Sequence, residues 1–571
     1  MSDYEIKKLQ KRVTNGGMGR REFLTAAGAM GLAAIAPALY SQAAYATPKK
    51  GGTYRIGIPA ANTGDNFDTG TNSDSFMINL AQGAVRNCVT EVNAEGQAIP
   101  ELAESLEPSA DAATWVVKVR QGVTFHNGKT LDADDIITSL EHHRGEGATS
   151  AAKSVAESMG EIRKDGKNTI IFKLEGGNAD FPYLLSDYHI TIGPADSMGK
   201  IKKDGKNTVI FELESGNADF PYLLSDYHIT IGPVGSDGKI DWHAGVGTGP
   251  YSLKSFEPGV GADLVRNPNY FKPDEGNFDE VKVIAINDAA ARMNAMSTGQ
   301  VDAIVRCDLK TAHLLNRKPG ISVLQVAGTK HYTYPMDVRQ APFDNNDVRM
   351  ALKLGIDREA FVKTVLRGYG SLGNDHPIGT SQNYHASNLP QRKYDPEKAK
   401  WHLKQAGLSS LDVEMSASDA AFAGAVDATQ LYVEALKKAN IKLTVKRASA
   451  DGYWSNTWMK VPWSASYWSG RPTADWMFTI GWAAGGNWTE TFWNNARFEE
   501  LLVAGRAELD EAKRSAIYQE MQAICRDEGG AVIPCFANNV DAASDKMGRP
   551  AKMGGNFELD GSRSISRWWF V

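Results

Sequence analysis

Hydrophobic and polar positions alternate along Gly51-Gly52-Thr53-Tyr54-Arg55-Ile56-Gly57-Ile58, which predicts an opening strand. A second apolar strand is predicted over Thr169 to Leu174, after an Asp165-Gly166 turn. Helical signals appear further on. Asp395-Pro396-Glu397 supplies an N-cap, a proline at the first helical position and an acidic first turn. Ala399, Leu403 and Ala406 then share a face, and Gly407 stops the helix. A second helix starts at Asp510, carries Ile517, Met521 and Ile524 on its apolar face, and ends at Gly529-Gly530. Strands and helices are mixed, so the class is α/β or α+β.

The weakly apolar stretch from Leu24 to Tyr40 does not fit this scheme. Gly28, Gly31 and Pro37 interrupt it, and a membrane span needs about 20 strongly apolar residues. It follows Gly19-Arg20-Arg21-Glu22-Phe23-Leu24, a twin-arginine pattern, and precedes Ala44-Tyr45-Ala46, an A-x-A cleavage site. Residues 1–46 are therefore expected to be a Tat signal peptide cut after Ala46. No cysteine lies near the cut, so no lipoprotein anchor is encoded there. No run of 18 apolar residues occurs elsewhere, which predicts a soluble protein outside the cytoplasm.

Length and composition narrow the class. A chain of 571 residues exceeds one ordinary domain, and 42% hydrophobic with 23% charged residues is globular. The net charge is −6, and it becomes −9 once residues 1–46 and their six basic and three acidic groups are removed. A nucleic-acid partner is not expected at that balance. The cysteines, Cys88, Cys307, Cys525 and Cys535, form no CxxC pair, which excludes a zinc ribbon. Whether Cys525 and Cys535 bond to each other is open at this level.

Residues 156–194 and 195–233 are adjacent copies of one 39-residue unit that differ at six positions. A stable solenoid needs three or more units, so a local duplication is the reading. The fold is expected to need one copy. Tryptophan is also clustered: eight of thirteen lie at Trp454, Trp458, Trp463, Trp468, Trp476, Trp482, Trp488 and Trp493. An aromatic-lined cleft explains such density; a Trp-rich core is the competing account.

Catalytic and metal motifs are missing. GVTFHNGKT at Gly122–Thr130 has five residues between its glycines, where a phosphate loop needs four. There is no HExxH and no GxSxG. His142 and His143 are adjacent and do not share a helix face, so no metal site is expected there. No cofactor is expected.

Several separated blocks resemble the solute-binding proteins of ABC importers, family 5, the peptide, opine and nickel group. They are Glu101-Leu102-Ala103-Glu104-Ser105; Arg120-Gln121-Gly122-Val123-Thr124-Phe125-His126-Asn127-Gly128; Gly247-Thr248-Gly249-Pro250-Tyr251; and Arg266-Asn267-Pro268-Asn269-Tyr270. Pro342-Phe343-Asp344 with Val348-Arg349, Ile356-Asp357-Arg358 and Tyr394-Asp395-Pro396-Glu397 continue in family order. The resemblance implies a two-lobe periplasmic binding fold of type II, with an extra subdomain and a two-strand hinge. Lobe I is expected over 47–331, with the subdomain at 67–235. Lobe II is expected over 332–531, and 532–571 returns to lobe I. The crossings are expected near Tyr332-Thr333-Tyr334-Pro335 and Val532-Ile533-Pro534.

The resemblance further implies a monomeric binding protein without covalent chemistry. It would close on a small-molecule or peptide ligand and deliver it to an ABC permease in the inner membrane. The stretch Trp468-Ser469-Gly470-Arg471-Pro472-Thr473-Ala474-Asp475-Trp476-Met477-Phe478 is similar to WTGxxxDPDNF, whose acidic residue holds a ligand amino group in peptide-binding members. Asp475 matches that acid, while the DPD is missing and Arg471 takes an uncharged or acidic position. Arg471 is the candidate for a ligand carboxylate; pairing of Arg471 with Asp475 at the rim is the alternative. Trp468, Trp482, Trp488 and Tyr334 complete the candidate site. The ligand is expected to be peptide-like or opine-like. A sugar or metal chelate, or less directly an exported hydrolase or a sensor module, remain as alternatives.

Overall fold

The computed structural model describes residues 48–72, 74–110, 112–144, 150, 161–166, 169–176, 207–215, 220–225, 229–450, 452–469, 471, 473–485 and 488–571. The expected signal peptide and most of the repeat lie outside them.

Lobe I is built on a seven-stranded sheet. Its order is Ile321–Val326, Asn539–Ser544, Ala303–Ile304, Thr53–Ile58, Glu280–Ala285, Gly261–Arg266 and Tyr251–Glu257. Strand Thr53–Ile58 runs parallel to both of its neighbours. Its alternation is the reason it forms: Tyr54, Ile56 and Ile58 are fully buried, and the Tyr54 ring stacks on Phe278 at 4.7 Å. The C-terminal strand Asn539–Ser544 lies inside this sheet, so the chain ends where it began.

Lobe II has a four-stranded sheet ordered Gly370–Leu372, Ala531–Ala537, His331–Pro335 and Ser466–Trp468. Helices cover it. In helix Pro396–Gln405 the Asp395 carboxylate accepts the Lys398 N–H at 2.8 Å; Ala399 and Leu403 are buried, and Gly407 takes a left-handed φ of 79°. Helix Glu511–Glu528 begins at Asp510, as its sequence predicts. Its buried face is rolled from the expected one. Arg514, Tyr518, Met521, Gln522 and Cys525 are buried, whereas Ile517 and Ile524 are half-buried. Two contacts account for the roll. Gly505 on the neighbouring helix Ala496–Ala507 leaves room for the Tyr518 ring, which a Cβ there would meet at 3.0 Å. Gln522 also bonds to Ala386 N–H and Tyr384 C=O.

The chain leaves the first sheet after Val326 and enters the second at His331; it returns between Ala537 and Asn539. The crossings are thus 327–330 and Asn538, a few residues outside the two stretches expected, which are paired as strands within lobe II. Gly328 is required at the first crossing, because a Cβ would lie 2.8 Å from Ala537 O. All four cysteines are buried and free. Among the described residues no helix is long and apolar enough to cross a membrane.

The subdomain sheet is ordered Ala103–Pro108, Thr114–Val119, Asn207–Ser215, Glu161–Gly166 and Thr169–Gly176. Strand Thr169–Gly176 belongs to the first repeat copy and Asn207–Ser215 to the second. Both pair antiparallel with Glu161–Gly166, and in equivalent register. Ile162 is opposite Phe172 in one ladder and opposite Phe211, its repeat equivalent, in the other. Both copies thus place a strand in the sheet, each in the same register against Glu161–Gly166. Deleting residues 195–233 should leave a chain that unfolds cooperatively within ~3 °C of the full-length protein, measured by circular dichroism. A non-cooperative melt would show that both copies are needed.

Candidate functional site

Helix Ala474–Gly481 connects the two halves of the molecule. Thr473 Oγ1 caps it by accepting the Trp476 N–H at 3.1 Å. Met477 and Phe478 face the lobe II core. Trp476 projects the other way, into the subdomain core beside Leu102, Val123 and Phe125, and Ile480 touches both cores. The two lobes are therefore in contact here.

Asp475, in the first turn of this helix, is fully buried. Its partner is Arg506, whose Nε lies 3.3 Å from Oδ2. Burial raises its carboxyl pKa, and Arg506 opposes that shift. Arg471 is also buried. Its Nη1 donates to Ser469 C=O at 2.7 Å, and its guanidinium lies 5.6 Å from the Trp468 ring. Asp475 is thus salt-bridged to Arg506. Tyr334 is enclosed in the lobe II core, stacked on Tyr432 at 5.7 Å. Trp482 packs edge-on to Trp493 at 6.0 Å in a second core cluster.

Trp468 and Trp488 belong to a different arrangement. Their rings are 6.1 Å apart. Trp468 Nε1 donates to Glu490 Oε1 at 2.9 Å, and Trp458 Nε1 donates to Oε2 at 2.7 Å. Glu490 is 6% exposed, and burial pushes its carboxyl up to about 7 despite the two indole donors. Trp454 extends the surface, 5.6 Å from both Trp458 and Tyr467. Trp454 and Tyr467 are 39% and 36% exposed, which is high for such large rings. Glu490 was missed from sequence; the only signal was an acid two residues beyond Trp488.

Opposite stands a charged wall from lobe I. Arg306 Nε lies 2.5 Å from Glu558 Oε1. Burial favours the neutral form of Glu558, but Arg306 and Lys330 hold its pKa down to about 2. Burial and Glu558 together push Asp541 up to about 7. The backbone here is unusual: Arg306, Leu559, Asp560 and Ser562 have φ of 52°, 43°, 65° and 60°. Left-handed non-glycine residues cost energy, and they cluster at functional sites. Asn539, just past the second crossing, donates its side-chain N–H to Phe557 C=O at 3.1 Å, which sets this wall beside the crossing. Further along the seam, an open recess of about 890 Å³ is lined by Gln97, Ile99, Tyr222, Asn383, Tyr384 and Glu511. Among the described residues no cluster of three or more metal-ligating side chains occurs.

Two sheets joined by two chain crossings make a two-lobe molecule. The family model for bacterial extracellular solute-binding proteins, family 5 (middle region), matches residues 97–200 and 193–490. The chain belongs to this family. The two matched stretches overlap at 193–200, across the junction of the repeat copies. Di/tripeptide-binding protein 1 of Pseudomonas aeruginosa is 24% identical over 83% of this chain and 86% of its own length. A glutathione-binding protein of Shigella dysenteriae is 24% identical over 78% of this chain and 81% of its own. Among solved structures, HbpA2 from Haemophilus parasuis superposes with a TM-score of 0.75 at 17% identity, covering 91% of this chain and 100% of that one. AgaA from A. tumefaciens R10, in complex with agropinic acid, gives 0.68 at 21% identity, covering 91% and 99%.

The Glu490 arrangement has a measurable pH signature. Its folded pKa is raised, so its contribution is fully present below the unfolded value near 4.5 and is lost as pH rises through about 7. The stability of the wild-type protein relative to Glu490→Gln should fall by up to about 3 kcal/mol from pH 4.5 to pH 8. Urea unfolding of both proteins at the two pH values checks this; an unchanged difference would mean the carboxyl is not buried among the indoles.

Proposed function

We propose that this protein is the substrate-binding component of an ABC importer, holding a peptide-like or opine-like solute between its lobes for an inner-membrane permease. The observation that carries the reading is a wall in each lobe beside the crossings. Lobe II offers the exposed rings of Trp454 and Tyr467 with the half-buried Trp488, and lobe I offers the Arg306 and Glu558 charges. Rings stack on apolar side chains, and fixed charges select ammonium and carboxylate groups. Ligand must touch both lobes, because only differential affinity shifts an open form to a closed one. The binding names of the relatives support a peptide or opine class. In this reading Arg471 and Asp475 support the site from behind, with Arg471 packed under Trp468. The protein works as a monomer and makes or breaks no covalent bond.

One feature favours a sugar as the second reading: the recess lined by Tyr222, Tyr384, Gln97 and Asn383 is aromatic and amide-rich. A thermal-shift screen of residues 47–571 separates the two. A ligand at 100 times its dissociation constant adds about 2.7 kcal/mol of stability. Stabilisation by di- to tetrapeptides or opines is expected; stabilisation by oligosaccharides alone would transfer the site to the recess.

Export is proposed to use the twin-arginine leader, residues 1–46, with cleavage after Ala46. Replacing both Arg20 and Arg21 by Lys should hold the protein in the cytoplasm, read by fractionation and immunoblot. An undiminished periplasmic yield would sink the assignment.

A further inference from the structure

Several buried arginines of this protein spend their terminal nitrogens on backbone carbonyls. Arg292 spends its guanidinium on the carbonyls of Val305, Ile286 and Arg306, and Arg349 on those of Phe343, Asp344 and Glu528. Arg306 differs. It lies two residues past Ile304, beyond the carboxyl end of strand Ala303–Ile304 in the lobe I sheet. In open α/β sheets that end is where ligands bind. Its backbone is pinned at both ends: its N–H donates to Asp541 Oδ1 at 3.0 Å, and its C=O accepts Arg292 Nη2 at 2.9 Å. These bonds hold it at φ 52°. Its Nε is taken by Glu558, itself seated just before the left-handed turn at Leu559, Asp560 and Ser562.

The terminal nitrogens Nη1 and Nη2 reach no acceptor among the described residues, and the side chain is 46% exposed. A planar fork with one edge fixed and the other open is pre-organised for a bidentate anion. The Arg306–Glu558 pair stands beside the second crossing, where Asn539 Nδ2 donates to Phe557 C=O at 3.1 Å; in lobe II, Trp454 and Tyr467 are the exposed rings of the aromatic wall.

We propose that Arg306 is a carboxylate clamp on the lobe I side of the cleft, positioned by Glu558, and that the solute carries a carboxylate next to an apolar or aromatic group. The inference rests on the interlobe reading above and narrows it to anionic ligands. It assigns the carboxylate to a residue outside the Trp-rich segment, where Arg471 is occupied by Ser469.

The test uses matched pairs of compounds: dipeptides with Phe or Leu side chains and N-carboxyalkyl amino acids, each as free acid and as carboxamide. Binding to residues 47–571 is measured by thermal shift and calorimetry. The free acids should bind at least tenfold more tightly than their amides. Arg306→Ala should remove that preference, and Arg306→Lys should keep part of it. The double variant Arg306→Gln with Glu558→Gln removes both charges of the pair. It should show the same loss with a normal ligand-free melt, which separates recognition from folding. Equal binding of acids and amides by the wild type, or an unchanged preference in Arg306→Ala, overturns the clamp and leaves the interlobe reading standing. No stabilisation by any of these compounds overturns both.

Discussion

Ala537 donates its backbone N–H to Lys330 C=O at 2.8 Å, and Asn538 donates to Tyr369 C=O at 3.1 Å. These bonds tie the two passages between the lobes to each other and to lobe II. Each lobe is otherwise a separate hydrophobic unit with its own sheet. Strand Ala531–Ala537 is central to this arrangement, paired on both sides and buried along its whole length. It is anchored by charge as well as by packing. Asp375 accepts Ile533 N–H at 2.9 Å while bonding Arg358 and Arg392, with all three side chains buried. A buried charge survives only when it is paired and fully bonded, so loss of any one member leaves the others exposed to the full desolvation cost.

The same logic closes lobe I. Arg563, near the C-terminus, bonds the buried Glu101, which also accepts from Asn87, Lys272 and the Cys88 N–H. Sequence-distant segments are fixed there by directional bonds. Between lobe and subdomain the contact is of another kind: Trp476 enters the subdomain core, but its indole N–H has no acceptor among the described residues. An unmet buried donor costs about 1–3 kcal/mol. This contact is therefore weaker than a core contact of equal area, which suits a surface shared by two bodies that move.

Much of the architecture was legible from local chemistry. The alternation of Thr53–Ile58, the caps Asp395 and Asp510, and the ordered family blocks each depend on residues close in sequence. The site was less legible because its partners are not local. Glu490 is defined by indoles 22 and 32 residues away, and Arg306 by a carboxylate 252 residues away. The tryptophan cluster drew attention to one segment, yet composition does not separate rings that fill a core, such as Trp463 and Trp482, from rings that hold a carboxylate or stay exposed. Asp475 was found by motif, but its neutraliser Arg506 lies on the next helix. The rolled face of helix Glu511–Glu528 failed for a related reason: a glycine on a neighbouring helix decided it.

In the proposed reading these constraints bear on where a solute sits. At helix Ala474–Gly481 the lobes already touch through apolar burial, which needs no ligand. At the crossings the chain itself holds them together. Near the crossings Arg306 in lobe I and Tyr467 in lobe II both keep exposed surface. A solute placed there gains contacts with a rigid, strained charge on one side and stackable rings on the other. Neither wall offers both kinds of contact alone, so binding free energy that depends on both can be collected only when the lobes are together.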